Sequence, residues 1–169
     1  MSSTYEKIAT TTLGSSQSSV TFSAISGSYT DLVIVSSFLC SIADYGITYQ
    51  FNSDTGSNYS STYLGGSGSS ASSGRTTNYN FNNASLLTGG STTERMLTII
   101  NIMNYSNSTT FKTAICRSNI TTGTYPGTEA VVNLWRNTNA ITSIVLKSGN
   151  GSVNFSTGST FTLYGIKAA

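Results

Sequence analysis

The chain has 169 residues, a length that fits one domain. Only 8% of its residues are charged, where about 25% is usual, so its 31 Ser, 27 Thr and 15 Asn must supply the polar surface. Its net charge of +2 comes from scattered basic residues without the cationic stripe that nucleic-acid binding needs, and no apolar run reaches the roughly 18–20 residues of a membrane span. Neither nucleic acid nor a membrane is therefore predicted as a partner.

The aromatic content distinguishes this composition from that of a disordered chain. Ser- and Gly-rich tracts alone cannot bury enough apolar area to offset the entropy lost on ordering. Here ten Tyr, seven Phe and one Trp are interleaved with Val and Ile, and these residue types favour strands. The composition therefore predicts a folded β-protein.

Strand signals recur along the chain, separated by turn-forming residues. The segments 20–24 and 47–51 alternate between apolar and polar residues, as half-buried strands do. Asn150-Gly151 is a strong hairpin signal, because both residues tolerate positive φ. The pattern predicts an all-β fold, a single jelly-roll-like antiparallel β-sandwich over residues 1–169 with roughly eight to ten strands. Nine strands are predicted at 5–11, 20–24, 32–39, 47–51, 96–103, 110–120, 130–136, 141–147 and 160–166.

Two of these segments, 32–39 and 96–103, are apolar on both faces. In the second, Leu97 and Ile100 point in opposite directions although both are large and apolar. A strand that is covered on both faces needs a loop or a neighbouring subunit as its second cover. This pattern is the first indication of an oligomer.

Two segments are predicted to lie outside the sandwich. Residues 1–5 are polar and predict a flexible arm that orders on docking. Residues 57–90 are rich in Gly, Ser and Asn, which predicts a long surface excursion. This excursion is either a flexible loop or an interface, since it carries the aromatic residues and the arginine that interfaces enrich. The interface candidates are Tyr5, Tyr59, Tyr63, Arg75, Tyr79 and Phe81.

The residue types that carry most enzyme chemistry are scarce. The chain has no His, which removes the commonest general base and metal ligand, and its six carboxylates stand in no motif of known spacing. Asp54, in the stretch FNSDTGSNY, suits an Asx-turn better than a calcium site, which needs more acidic ligands. No catalytic, metal-binding or cofactor-binding residue is therefore predicted.

Three apolar or aromatic residues have a structural and a functional interpretation. Cys40 and Cys116 lie in apolar segments, and free buried thiols are favoured over a disulfide for a protein that folds in a reducing cytosol. Trp135 shares a strand face with Val131, which favours a core or interface position over a platform for stacking sugars.

Three stretches carry a resemblance to a known family: the opening YEKIATTTLGSSQSSVTFSAISGSYTDLVIV, the central FNSDTGSNYSSTYLGGSGSSASSG and the closing LWRNTNAITSIVLKSGNGSVNFSTGSTFTLYGIKAA. Together they resemble small structural proteins of tailed bacteriophages, of the marine and cyanophage type. The resemblance runs over nearly the whole chain. It implies a capsid decoration, head-fibre or tail-fibre component, and it brings no catalytic residues.

The leading hypothesis is a capsid decoration or cement protein, a homotrimer on the outside of the head shell. Its partners would be the major capsid protein or other virion proteins, and it would be assembled into the virion in the cytoplasm of the host bacterium. The alternative is a tail-fibre or spike subunit that binds a host surface glycan. A third hypothesis, a polysaccharide depolymerase, would require paired carboxylates in a groove.

Overall fold

The computed structural model describes residues 4–43, 46–86, 90–120 and 127–167, without the side chain of Asn150. Their regular structure consists of β-strands and one short 3-10 helix at Gly149–Gly151. The twelve strands are β1 (Tyr5–Thr12), β2 (Ser19–Phe22), β3 (Asp31–Phe38), β4 (Ile47–Phe51), β5 (Tyr59–Gly66), β6 (Ala71–Tyr79), β7 (Asn82–Asn83), β8 (Met96–Met103), β9 (Lys112–Ile120), β10 (Gly127–Trp135), β11 (Ile144–Ser148) and β12 (Thr160–Ile166).

The strands form two antiparallel sheets. The larger has eight strands in the order β1-β12-β3-β8-β9-β10-β5-β6, and the smaller has four in the order β2-β11-β4-β7. Their buried faces share one hydrophobic cluster that draws on strands of both sheets. The predicted all-β antiparallel sandwich is confirmed, and each of the nine predicted strands overlaps an observed one. The jelly-roll connectivity stays a prediction.

Aromatic side chains fill the space between the sheets in two groups. At one end Phe38, Phe155 and Phe161 pack together, with ring centroids 4.8–6.2 Å apart. The second group surrounds Trp135, whose ring lies edge-on to Phe51 at 5.5 Å and stacks on Tyr59 at 6.3 Å. Both Trp135 and Val131 are buried, so the predicted core position of Trp135 is confirmed.

The segment 57–90 differs from its predicted form as an excursion from the sandwich. Half of it forms β5 and β6, a hairpin that ends the larger sheet, and β7 joins the smaller sheet. Ser and Thr side chains suit such an edge, because its exposed positions require no apolar residue. Gly74 permits the pairing, since a Cβ there would lie 2.5 Å from the Tyr63 hydroxyl oxygen. The three strands from this segment raise the described total above the predicted eight to ten.

The predicted arm at residues 1–5 is also shorter than expected. Tyr5 begins β1 and pairs with Ile166, while the Thr4 carbonyl accepts a hydrogen bond from the Lys167 amide at 3.1 Å. The remaining arm positions, 1–3, lie outside the described residues. Two ordered strands of the same sheet therefore hold the chain from residue 4 onward.

Candidate binding surface

The outward face of strands β8, β9, β10, β5 and β6, which we call the outer patch, is unusually apolar for a solvent-facing sheet. Antiparallel sheets commonly place polar residues on the face that is turned away from the core. Here five large apolar side chains remain 38–64% exposed on that face. They are Leu64, Leu97, Met103, Ile115 and Val132.

The strand register places Ile115, Val132 and Leu64 close together, whereas Leu97 and Met103 of β8 lie opposite Asn119 and Thr113. Val132 of β10 lies opposite Ile115 of β9, which lies opposite Asn101 of β8. In the adjacent row, Ala130 lies between Arg117 and Leu64. Paired residues of antiparallel strands project from the same face with Cβ atoms about 4.5–5.5 Å apart, so Ile115, Val132 and Leu64 form a connected apolar area around Ala130. Connected apolar areas of this kind mark interaction sites more often than scattered exposed residues do.

The outer patch carries positive but no negative charge. Arg117 and Arg75 project from it, and the outward side chains of its five strands include no carboxylate. Within the described part of the chain, neither guanidinium forms a hydrogen bond or an ion pair. A shallow concavity of about 310 Å³ lies beside Arg117 and is lined in part by Leu64 and Ala130. The patch therefore combines apolar area with two uncommitted cations.

Three carboxylates that do not project from the outward face of the five strands form contacts of their own, and one of them, Asp31 of β3, lies beside Met103 at the border of the outer patch. Glu6 forms an ion pair with Lys167 at 2.6 Å, and Asp31 accepts a hydrogen bond from the Asn104 amide at 2.6 Å. Glu129 is buried and points inward, where its carboxylate accepts a hydrogen bond from the Leu86 amide at 2.7 Å. The positive charge of the patch is therefore not neutralised by these groups.

The predicted interface residues do not form one site. Tyr59 is fully buried and donates a hydrogen bond to the Asp54 carbonyl at 3.0 Å, so it is a core residue. Tyr63 is half-buried and turns inward beside Val131. Tyr5 is exposed on β1, at the opposite edge of the sheet from β6.

The remaining three candidates lie near the β6 edge. Arg75 is exposed at the centre of β6 and projects outward. Tyr79, at the end of β6, is 41% exposed, and its ring contacts Phe81 edge-on at 5.3 Å. Arg75 therefore belongs to the outer patch, while the two aromatic rings flank it.

Most residues of the outer patch are absent from the sequence-based candidates. The signal was visible in 96–103, where apolar residues occupy both strand faces. The structure places Met96, Ile100 and Ile102 in the core, while Leu97 and Met103 each remain 38% exposed. The sequence pattern alone does not show which face of such a strand is covered, because both faces carry apolar residues.

The Asp54 loop is built as the predicted turn. One carboxylate oxygen accepts the Gly56 amide at 2.8 Å, and the other accepts Asn58 Nδ2 at 2.9 Å and Trp135 Nε1 at 2.7 Å. Desolvation raises the pKa of Asp54, but these hydrogen bonds outweigh it and lower the pKa overall. Asn52 Oδ1 likewise accepts hydrogen bonds from the Thr142 and Ser143 amides. Among the described residues, no group of three His, Cys, Asp or Glu is placed to hold a metal ion.

Both cysteines are buried and neither forms a disulfide, as predicted. Asn133 Nδ2 donates to Cys116 Sγ at 3.3 Å, and the Tyr49 hydroxyl lies 3.6 Å from the same sulfur. Burial raises the pKa of the Cys116 thiol to about 12, which keeps it protonated and unreactive near neutral pH. Cys116 therefore has a packing role.

Comparisons with known proteins assign no function to this chain, so its function has to be inferred from its exposed surface. No helix among the described residues is both long and apolar enough to cross a bilayer. No known protein family, curated protein or solved structure shows a significant match to this chain.

Proposed function

We propose that this protein is a non-enzymatic structural component of a tailed-bacteriophage virion that decorates the outside of the head shell. Two supports lead to this proposal: the resemblance of its sequence to small phage structural proteins, and the outer patch. The patch carries the argument, because Leu64, Ile115 and Val132 stay exposed while the interior of the same sheet is fully packed. A protein with such a surface acts by adhesion to other proteins.

The size of the outer patch suits a protein that binds a repeating lattice. Five strands about 4.8 Å apart span roughly 19 Å, and four outward residues per strand cover a similar length. The resulting area, roughly 400 Å², is about half of what one partner contributes to a standard stable interface. A single contact is therefore weak. Several copies joined to one another, as in the proposed homotrimer, would bind a shell of repeated sites with much higher avidity.

The abundance of the protein in the virion tests the proposal. Quantitative mass spectrometry of purified particles would compare its copy number with that of the major capsid protein. A decoration protein is expected in hundreds of copies per particle. A few to tens of copies would replace the proposal with a tail-fibre role and a host glycan as the ligand, and absence from purified virions would refute any structural role.

A further inference from the structure

We infer that the outer patch docks on an acidic protein surface, and that Arg117 is the central anchor of that contact. The inference rests on the proposed function and specifies the chemistry of the partner. It is argued from the position of Arg117, from the charges of the patch and from the nature of its apolar side chains.

Arg117 lies inside the outer patch, with strands of the patch on both sides. It lies on β9, between Ile99 of β8 and Ala130 of β10, and Leu64 follows in the same row. A flat partner that covered these neighbours would remove water from the guanidinium. A desolvated arginine without a partner group is costly, whereas a bidentate carboxylate contact satisfies its fork of donors. A carboxylate is therefore the group that we expect the partner surface to offer at this position.

The charges of the outer patch argue against a second copy of this chain as the occupant. Face-to-face docking of two copies about a two-fold axis would bring Arg75 and Arg117 of both copies into one interface. The outward side chains of the five strands supply no acid to compensate. Like charges across an interface suppress that pairing and direct the patch to a partner of opposite charge.

The apolar residues of the outer patch favour a protein over a glycan. Met103, Ile115 and Val132 are flexible or branched aliphatic side chains, which gain most from packing against other apolar side chains. The exposed aromatic ring of these strands, Tyr79, lies at the end of the edge strand β6. Arginine at the centre of an apolar area is also the composition that protein interfaces concentrate at their strongest contacts.

Charge reversal at Arg117 tests the inference. The probe is the assembled head shell of the encoding phage, prepared without this protein, and binding is measured by co-sedimentation over a series of salt concentrations. R117E is expected to weaken binding at least about tenfold, and R117Q less. The matched control is K7E, which makes the same change in net charge on exposed β1 at the other edge of the sheet and is expected to bind within about twofold of wild type.

The outcomes separate the inference from the proposed function. If the wild-type protein binds shells and R117E binds equally well, the inference is overturned while the decoration role stands. If the wild-type protein does not bind shells, both fail. Sedimentation equilibrium of the free protein gives a further check: self-association that R117E abolishes would identify a second copy as the occupant and would overturn the acidic partner. Thermal unfolding of each variant verifies that its fold is intact.

Discussion

Each face of β9 carries residues that hydrophobicity alone would place on the other face. Its inward face carries Lys112 and Ser118, both buried, whereas its outward face carries Ile115, which is 38% exposed. The buried lysine is stable there because its Nζ donates to the Thr110 carbonyl at 2.7 Å and the Thr138 carbonyl at 2.9 Å. Polar groups are therefore tolerated inside the sandwich where hydrogen-bond partners exist.

Burial lowers the pKa of Lys112, as expected for an ammonium group taken partly out of water. Ile115 shows the complementary situation, since nothing in the described structure covers it fully. The comparison teaches that the inner face is covered within one chain, whereas the outer face leaves apolar side chains exposed for the partner that we propose. Substitutions on the two faces should therefore separate stability from binding.

The largest expected effect is on the inner face, at Trp135. Replacing Trp135 with Ala removes a fully buried ring and the hydrogen bond from its Nε1 to Asp54, and should lower the free energy of unfolding by about 3–5 kcal/mol. Urea denaturation measures the loss. The control on the same strand is V132T, which changes an outward residue that is 51% exposed and should alter stability by less than about 0.5 kcal/mol. Equal losses in the two variants would contradict the distinction between the faces.

A smaller loss is expected for Asp54→Asn. An asparagine has one acceptor oxygen, so the hydrogen bonds from Gly56, Asn58 and Trp135 cannot all be kept, and the cost should be about 1–3 kcal/mol. Because the folded-state pKa of Asp54 is lowered, its carboxylate stabilises the folded chain above the unfolded-state pKa, near 3.8. This stabilisation is lost as the pH falls through the folded-state pKa. Wild type should therefore lose more stability than D54N below pH 3.8. Parallel acid unfolding curves would argue against this role.

Tyr59→Phe should cost about 1 kcal/mol at neutral pH, because the hydroxyl accepts the Phe51 amide and donates to the Asp54 carbonyl. Burial raises the folded-state pKa of Tyr59 above its ordinary value of 10.0. The protonated Tyr59 hydroxyl therefore contributes to the free energy of unfolding below pH 10. This contribution is lost as the pH rises above that value, since the tyrosine of the unfolded chain releases its proton first. Urea unfolding between pH 8 and pH 11 should show a shallower alkaline decline for Y59F than for wild type. An identical decline would place the titrating group elsewhere.

The smallest effect on stability is expected on the outer patch. The double variant I115T/V132T keeps β-branched side chains and should change the free energy of unfolding by less than about 0.5 kcal/mol. Its binding to head shells should nevertheless fall about tenfold, because both side chains lose apolar area at the contact. The control is I42T, at an apolar residue that is 57% exposed outside the outer patch. A large loss of stability in the double variant would mean that the outer face is already covered within one chain.

The positions of most strands were predictable from the sequence. The boundaries of β4 and β8 agree with the predicted segments 47–51 and 96–103, because both segments are rich in β-branched, aromatic or aliphatic residues. The half-buried form predicted for 47–51 is wrong, since Thr48 and Gln50 are buried as well. The Asp54 turn was also predictable, since its hydrogen bonds to Gly56 and Asn58 are local. Hydrogen bonds of this kind can be predicted from the sequence where the donor and the acceptor lie within a few residues of each other.

The strands of segment 57–90 and the position of Tyr59 were not predictable in this way. The segment has few aliphatic residues, so β5 depends on pairing with β10, about 70 residues further along the chain. β6 in turn pairs with β5. Tyr59 was expected at an interface, yet it is buried against Trp135, which only the pairing of those two strands brings close. Aromatic residues in a polar segment are equally compatible with an interface and with a core.

The sequence by itself determined the all-β class, most of the strands and the absence of a catalytic histidine, since these depend on composition and on contacts between near neighbours. Only the tertiary structure decided which face of β8, β9 and β10 is covered and which apolar residues stay exposed. The physical reason is that a strand has two equivalent faces, and the sheet that packs on one of them is built from distant parts of the chain.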